Sequence, residues 1–179
     1  MGNRHIPTKC IALCQWDKPG PSQTTTVPSA KATFSHPAGI DVMQIKPEKC
    51  EVAFISDKGN STIRFIRGVE TFHYSKFVEA LKLQHVPRHW KPEGLAVVST
   101  KLIAVTAGTS VYMISLDNSL TSGQVIEFIA DLQSPHGLCF MHNNTLLVAD
   151  EHCVKQIDLD SKSISIPVQG FRKAFDVSV

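Results

Sequence analysis

The sequence predicts an all-β protein assembled from repeated four-stranded antiparallel units, and three observations predict it. A Pro-x-Gly-aliphatic motif recurs at Pro37-Ala38-Gly39-Ile40, Pro92-Glu93-Gly94-Leu95 and Pro135-His136-Gly137-Leu138. Each copy is followed, in phase, by an apolar run and then by a more alternating one. Turn-forming residues separate the runs, among them Asn60, Gly108 and Asn143-Asn144. Four short strands in a unit of about 40 residues are the plan of one propeller blade. The predicted fold is therefore an incomplete β-propeller of four-stranded antiparallel blades.

Residues 1–35 stand outside the repeat. Cys10–Trp16 reads as a strand, and residues 17–31, rich in Pro, Ser and Thr without periodicity, read as a long loop. The blades fill residues 36–179, with starts near 37, 92 and 135. The first unit predicts strands at 38–43, 51–57 and 61–67. Between it and the second, Phe77, Ala80 and Leu81 within Tyr74–Leu83 have helical spacing after a capping Ser75, which predicts a short helical insertion. The second unit predicts strands at 93–98, 102–107 and 110–116, with a weaker fourth at 124–129. The third predicts 137–141, 145–150 and 153–159, with a weaker fourth at 163–166. A truncated fourth unit begins near 173, with Ala174 in the Gly place.

Residue types agree with this plan. The second strand of each unit is apolar at nearly every position, as expected of a strand covered on both faces. Arg64, Lys155 and Gln156 interrupt the third strands, which suggests positions farther from the axis. Gly39, Gly94 and Gly137 suit a tight entry into the innermost strand, where blades crowd together. Asp57 and Asp150 end second strands, where a carboxylate accepts backbone N–H bonds of the next turn. A two-residue hairpin at Asn143-Asn144 places Cys139 opposite Val148.

On these residues the chain resembles the NHL-repeat propeller family, whose pattern runs Pro-x-Gly-Ile-x-Val, a gap, Val-Ala-Asp, then Asn and an Arg-Ile-type strand. The matching stretches are Pro37–Val42 with Ile55-Ser56-Asp57, Asn60 and Ile63-Arg64-Phe65, and Pro135–Phe140 with Val148-Ala149-Asp150 and Val154. The resemblance covers about residues 36–179 and implies the fold far more than a function, because propellers host many activities.

Composition narrows the classes. A net charge of +2 gives no strong pull toward nucleic acid or anionic membrane, and no apolar run is long enough to span a bilayer. Five cysteines without a C-x-x-C pair suit free thiols in a reducing, cytoplasmic setting. The sequons at Asn60 and Asn143 leave an extracellular one open, although Asn is common in turns for backbone reasons.

No catalytic constellation stands out: there is no Gly-x-Ser-x-Gly elbow, no phosphate loop and no telling carboxylate pair. Adjacent His152 and Cys153 point to opposite faces of a strand. His36, His136 and His152 do not recur at one blade position, and Pro87 disfavours a helix that would align His85 with His89. No cofactor or metal is therefore expected. Arg88-His89-Trp90-Lys91 is the one basic, aromatic stretch and the candidate binding segment. A closed propeller of six blades needs about 240 residues, so the chain reads as a fragment that other blades or another chain must complete. The resulting expectation is a non-catalytic platform for another protein. A fragment of a metal-dependent propeller enzyme, amidating-lyase-like or lactonase-like, and an RNA-binding propeller are the alternatives.

Overall fold

The computed structural model describes residues 27–28, 32–45, 50–68 and 77–178. The first sheet comprises β1 (Val27–Pro28), β2 (Pro37–Ile45), β3 (Cys50–Asp57), β4 (Thr62–Arg67) and β5 (Phe77–Ala80), in the order β1-β5-β4-β3-β2. The second comprises β6 (Lys82–Gln84), β7 (Pro92–Ser99), β8 (Leu102–Ala107), β9 (Ser110–Leu116) and β10 (Ser122–Ile129), in the order β6-β10-β9-β8-β7. The third runs β11 (Pro135–Met141), β12 (Thr145–Asp150), β13 (Cys153–Asp158) and β14 (Ile164–Gln169) in sequence order. Each sheet contains a four-stranded antiparallel meander, one blade, and the innermost strands β2, β7 and β11 lie side by side in that order. The fold is a β-propeller segment.

Period-two patterning explains how the blades stack. On β8, Ile103, Val105 and Ala107 join a core shared with Phe54, Ile63 and Phe65 of the first blade. Ala104 of the same strand joins Leu138, Leu146 and Val148 of the third. The middle blade thus loses both faces to its neighbours, as its nearly uninterrupted apolar run requires. A hydroxyl stitches the inner strands together at the same place in two blades. Gly39 N donates to Ser56 Oγ at 2.6 Å, and that hydroxyl donates to the carbonyl of Glu93. Gly94 N donates to Thr106 Oγ1 at 2.7 Å, and Thr106 donates to the carbonyl of His136 at 2.5 Å. The third blade has Ala149 there, and Gly137 N donates directly to Phe175 O at 2.8 Å.

Several sequence expectations change. Residues 77–80 and 82–84 are strands, so the predicted helix is absent over that part of Tyr74–Leu83, and residues 74–76 lie outside the described residues. Arg64 and Phe65 of β4 pair with Ala80 and Glu79, and this pairing outweighs the weak helical spacing of a short run. Lys82–Gln84 pairs in parallel with β10, so the extra length between the first two units carries a strand into the next sheet. Within the predicted loop 17–31, Val27–Pro28 pairs with β5, whereas the predicted strand Cys10–Trp16 lies outside the described residues. The β11–β12 hairpin closes through three residues, with Asn144 at φ 60°, so Cys139 faces Leu147 rather than Val148. Cys139 and Cys153 are free.

The polar residues of the third strands are also placed differently from expectation. Arg64 is fully buried, with Nη1 3.7 Å from Asp57 Oδ2, and its guanidinium lies over the Phe34 ring at 5.5 Å. Lys155 Nζ sits 2.6 Å from Asp150 Oδ2. Each cation stands two residues into its strand and reaches back to the Asp that ends the preceding strand. They are blade-internal ion pairs rather than signs of an outer, solvated strand.

Candidate active site

The three inner strands share an irregularity that re-aims one side chain. Pairing skips between Pro37 and Gly39, between Pro92 and Leu95, and between Pro135 and Leu138, leaving one more residue on the inner strand than on its partner. Such bulges turn a side chain out of the ladder. The residue between Pro and Gly at each bulge is Ala38, Glu93 or His136. Glycine is required beside it because the next blade's backbone comes so close: a Cβ on Gly39 would lie 2.6 Å from Glu93 O, and one on Gly137 would lie 2.7 Å from Asp176 Cα. Asp176, not Ala174, therefore occupies the glycine place of the fourth unit. Phe175 is the counterpart of Ala38, Glu93 and His136.

Glu93 and His136, from adjacent blades, meet across this gap. His136 Nδ1 and Glu93 Oε1 are 2.8 Å apart, and His136 Nε2 lies 3.2 Å from Ser134 Oγ. Lys58, in the turn after β3, donates to Glu93 Oε2 at 2.8 Å. The His136 and Phe175 rings pack at a 36° tilt with centroids 5.3 Å apart. Burial acts to raise the Glu93 carboxyl, but hydrogen bonds from Lys58 and His136 and the charge of Lys58 more than offset it and hold the group below its ordinary value of 4.5. Glu93 is thus an anion at neutral pH. With a proton on Nδ1 donated to that anion, His136 presents the Nε2 lone pair to the Ser134 hydroxyl. The His136 and Glu93 side chains are 14% and 27% exposed, so the chain of groups is held by its surroundings yet reachable from solvent.

Ser134 is fixed from the backbone. Its N–H donates to Asp150 Oδ1 at 2.7 Å, its carbonyl accepts from Glu151 N at 3.2 Å, and Pro135 begins the inner strand immediately after it. Asp150 also accepts from Gln133 N at 3.1 Å. The analogous Asp57 accepts from Ser35 N and Asn60 Nδ2, both at 2.8 Å. The backbone N–H groups that Asp57 and Asp150 accept belong to the loop before the inner strand rather than to the next turn, and Asp150 thereby anchors the loop that carries Ser134.

The Arg88–Lys91 segment divides by burial. Arg88, His89 and Lys91 are exposed, whereas Trp90 is 4% exposed and packs edge-on against Tyr112 at 5.4 Å and 81°. The segment, with Ser61, Val86 and Pro87, lines an open depression of about 480 Å³. It leads into β7 at the blade end where Glu93 sits. The turns Lys58–Ser61, Gly108-Thr109 and Glu151-His152 lie at the same end, because Asp57, Ala107 and Asp150 pair with the three motif prolines.

His36 and His152 have partners of their own. His36 Nδ1 contacts Ser35 Oγ, and His152 Nδ1 contacts Arg172 O at 3.0 Å, apart from the His136 pair. Among the described residues no group of three or more His, Cys, Asp or Glu side chains could hold a metal ion. No helix among them is long and apolar enough to cross a membrane.

No protein-family model and no curated protein sequence matches the chain. Among solved structures, a gluconolactonase from Xanthomonas campestris matches 83% of this chain and 52% of its own at 14% identity, with a TM-score of 0.55. Virginiamycin B lyase from Staphylococcus aureus matches 74% of this chain and 42% of its own at 16% identity, with a TM-score of 0.49. The chain shares the β-propeller fold of the gluconolactonase and spans about half the length of the two structures it matches. This corrects the expectation of a non-catalytic protein-binding platform without enzymatic activity, since the matched propeller is an enzyme.

The sequence did not reveal Ser134, His136 and Glu93 as a unit because two of them lie on different blades. The available signal was the variable residue inside an otherwise repeated Pro-x-Gly.

Proposed function

We propose that the chain is part of a propeller hydrolase acting on a lactone or ester carbonyl, with Ser134, His136 and Glu93 as its catalytic relay. Its NHL-like blade array falls within residues 36–179, Val27–Pro28 adds a short strand to the first sheet, and further blades, from a longer chain or a partner, close the ring. The observation that carries the reading is His136 bridging Ser134 Oγ at 3.2 Å and Glu93 Oε1 at 2.8 Å, the nucleophile–base–acid order of acyl transfer. The gluconolactonase match supports the carbonyl class.

In the reaction, Ser134 Oγ attacks the carbonyl carbon as its proton passes to His136 Nε2. Glu93 holds Nδ1–H and stabilises the imidazolium that forms. His136 returns the proton to the departing alkoxide oxygen, leaving an acyl ester on Ser134. A water molecule, deprotonated by His136, attacks that ester. The acid is released and the proton returns to Ser134. Lys58 keeps Glu93 ionised and is a positioning residue.

The test measures hydrolysis of glucono-δ-lactone and 4-nitrophenyl acetate by the chain and by a length-completed propeller. Ser134→Ala and His136→Gln are expected to lower kcat by about 10²–10⁴ with circular dichroism unchanged. A fluorophosphonate probe should add its mass to Ser134. Unchanged turnover in Ser134→Ala, or labelling elsewhere, would overturn the relay.

A further inference from the structure

The geometry points to the Arg88–Lys91 depression as the seat of a carboxylate group on the substrate, an inference that rests on the catalytic reading above. Three observations carry it. First, the depression and the relay share one blade end and one turn. Ser61 lines the depression, and its N–H donates to the carbonyl of Lys58, whose ammonium holds Glu93. Second, the depression carries unneutralised positive charge. Arg88 and Lys91 are exposed, and neither has an acidic partner among the described residues, whereas Lys58 and Lys155 are paired. Third, its wall is rigid and leaves a donor unused. Trp90 is locked against Tyr112, and its indole N–H is buried with no acceptor.

A guanidinium, an ammonium and a fixed aromatic wall around a space of about 480 Å³ suit a small organic anion. The guanidinium offers two parallel donors to a carboxylate, and the ammonium adds a second charge. The net charge of +2 over the chain is too small to attract an extended polyanion, so the charge acts locally. The substrate class that fits is a lactone or ester carrying a free acid group, bound here with its carbonyl toward Ser134.

The test uses the full chain, titrated with sodium gluconate and, as the neutral counterpart, D-glucitol. The readouts are calorimetric affinity and the Trp90 indole N–H resonance, assigned against Trp16. Gluconate is expected to bind and to move that resonance, and glucitol is not. Arg88→Gln with Lys91→Gln should weaken gluconate about tenfold or more. Arg88→Lys with Lys91→Arg should restore most of the loss, and raising salt should weaken binding. Ser134→Ala should bind gluconate like the parent chain, which separates this inference from the catalytic one. Equal binding of gluconate and glucitol, or an affinity indifferent to the double Gln change, would overturn the site. Tight capture of a single-stranded RNA dodecamer that excludes gluconate would overturn it in favour of a nucleic-acid surface.

Discussion

Asp150 ends β12 buried, with Ser134 N at 2.7 Å, Gln133 N at 3.1 Å and Lys155 Nζ at 2.6 Å. Burial acts to raise its carboxyl, but the hydrogen bonds from Lys155 and the two backbone N–H groups outweigh it and hold the group below its ordinary value of 3.8. A carboxyl depressed in the folded state contributes stability that is present above its unfolded value, about 3.9. That stability is lost as pH falls through the folded value. Asp150→Asn should therefore cost about 2 kcal/mol at pH 7, from lost charge-assisted hydrogen bonds. The gap to the parent should narrow below about pH 4, as followed by urea unfolding across pH. Because Asp150 also anchors the Ser134 loop, the same change should lower kcat at pH 7. A gap constant from pH 3 to pH 7 would show that ionised Asp150 contributes nothing. Asp150 was legible as a strand-end carboxylate. Its partner Lys155 was not, because a lone cation in an alternating strand reads as solvent-facing until a buried anion is found beside it.

At the scale of the element, the inner-strand stitch explains why the repeated motif takes its form. Thr106 accepts from Gly94 N and donates to His136 O, tying two blades at the point where Glu93 meets His136. Thr106→Val keeps the shape and removes the hydroxyl, leaving a buried N–H and carbonyl without that bridge. The expected loss is about 1–3 kcal/mol, read as a lower denaturant midpoint. Catalysis should suffer as well, since the His136 backbone loses its tether. Thr106→Ser should recover most of both, and a Val variant as stable as the parent would show the stitch to be incidental. Strand positions in all three blades were readable because period two and in-phase repeats reinforce one another. The short run 77–84 was not, because a few apolar residues satisfy helical and strand spacing alike, and only pairing with β4 and β10 decides between them. The Asn143-Asn144 hairpin shows the same limit at one-residue resolution. Asn144 takes positive φ in a three-residue loop as readily as in a two-residue one, and that choice shifts every cross-strand partner.

For the whole molecule, the end of the blade array governs behaviour. Ile164, Ile166 and Val168 alternate along β14 and remain 44%, 52% and 48% exposed, with Phe171 at 43%. Apolar flanks of this kind are covered in a closed ring and promote association when they are not. The chain alone is therefore expected to self-associate with rising concentration in light scattering after size exclusion, and to bind a hydrophobic dye. Replacing Ile164, Ile166 and Val168 with Thr should reduce both. A monodisperse monomer at high concentration would show that the flank tolerates water.

The sequence by itself determined the blade plan: its strands, the glycines that let inner strands approach, and the aspartates that end second strands all follow from local spacing and turn chemistry. Which residues meet across blades was decided only by the tertiary structure. Glu93 and His136 are 43 residues apart by number and stand in adjacent blades. Their 2.8 Å contact depends on two bulges, two glycines and a bridging threonine acting together. A repeat reports what every blade shares, whereas the candidate site is made of the residues that differ between blades. Their chemistry appears only when adjacent blades bring them together at one blade end.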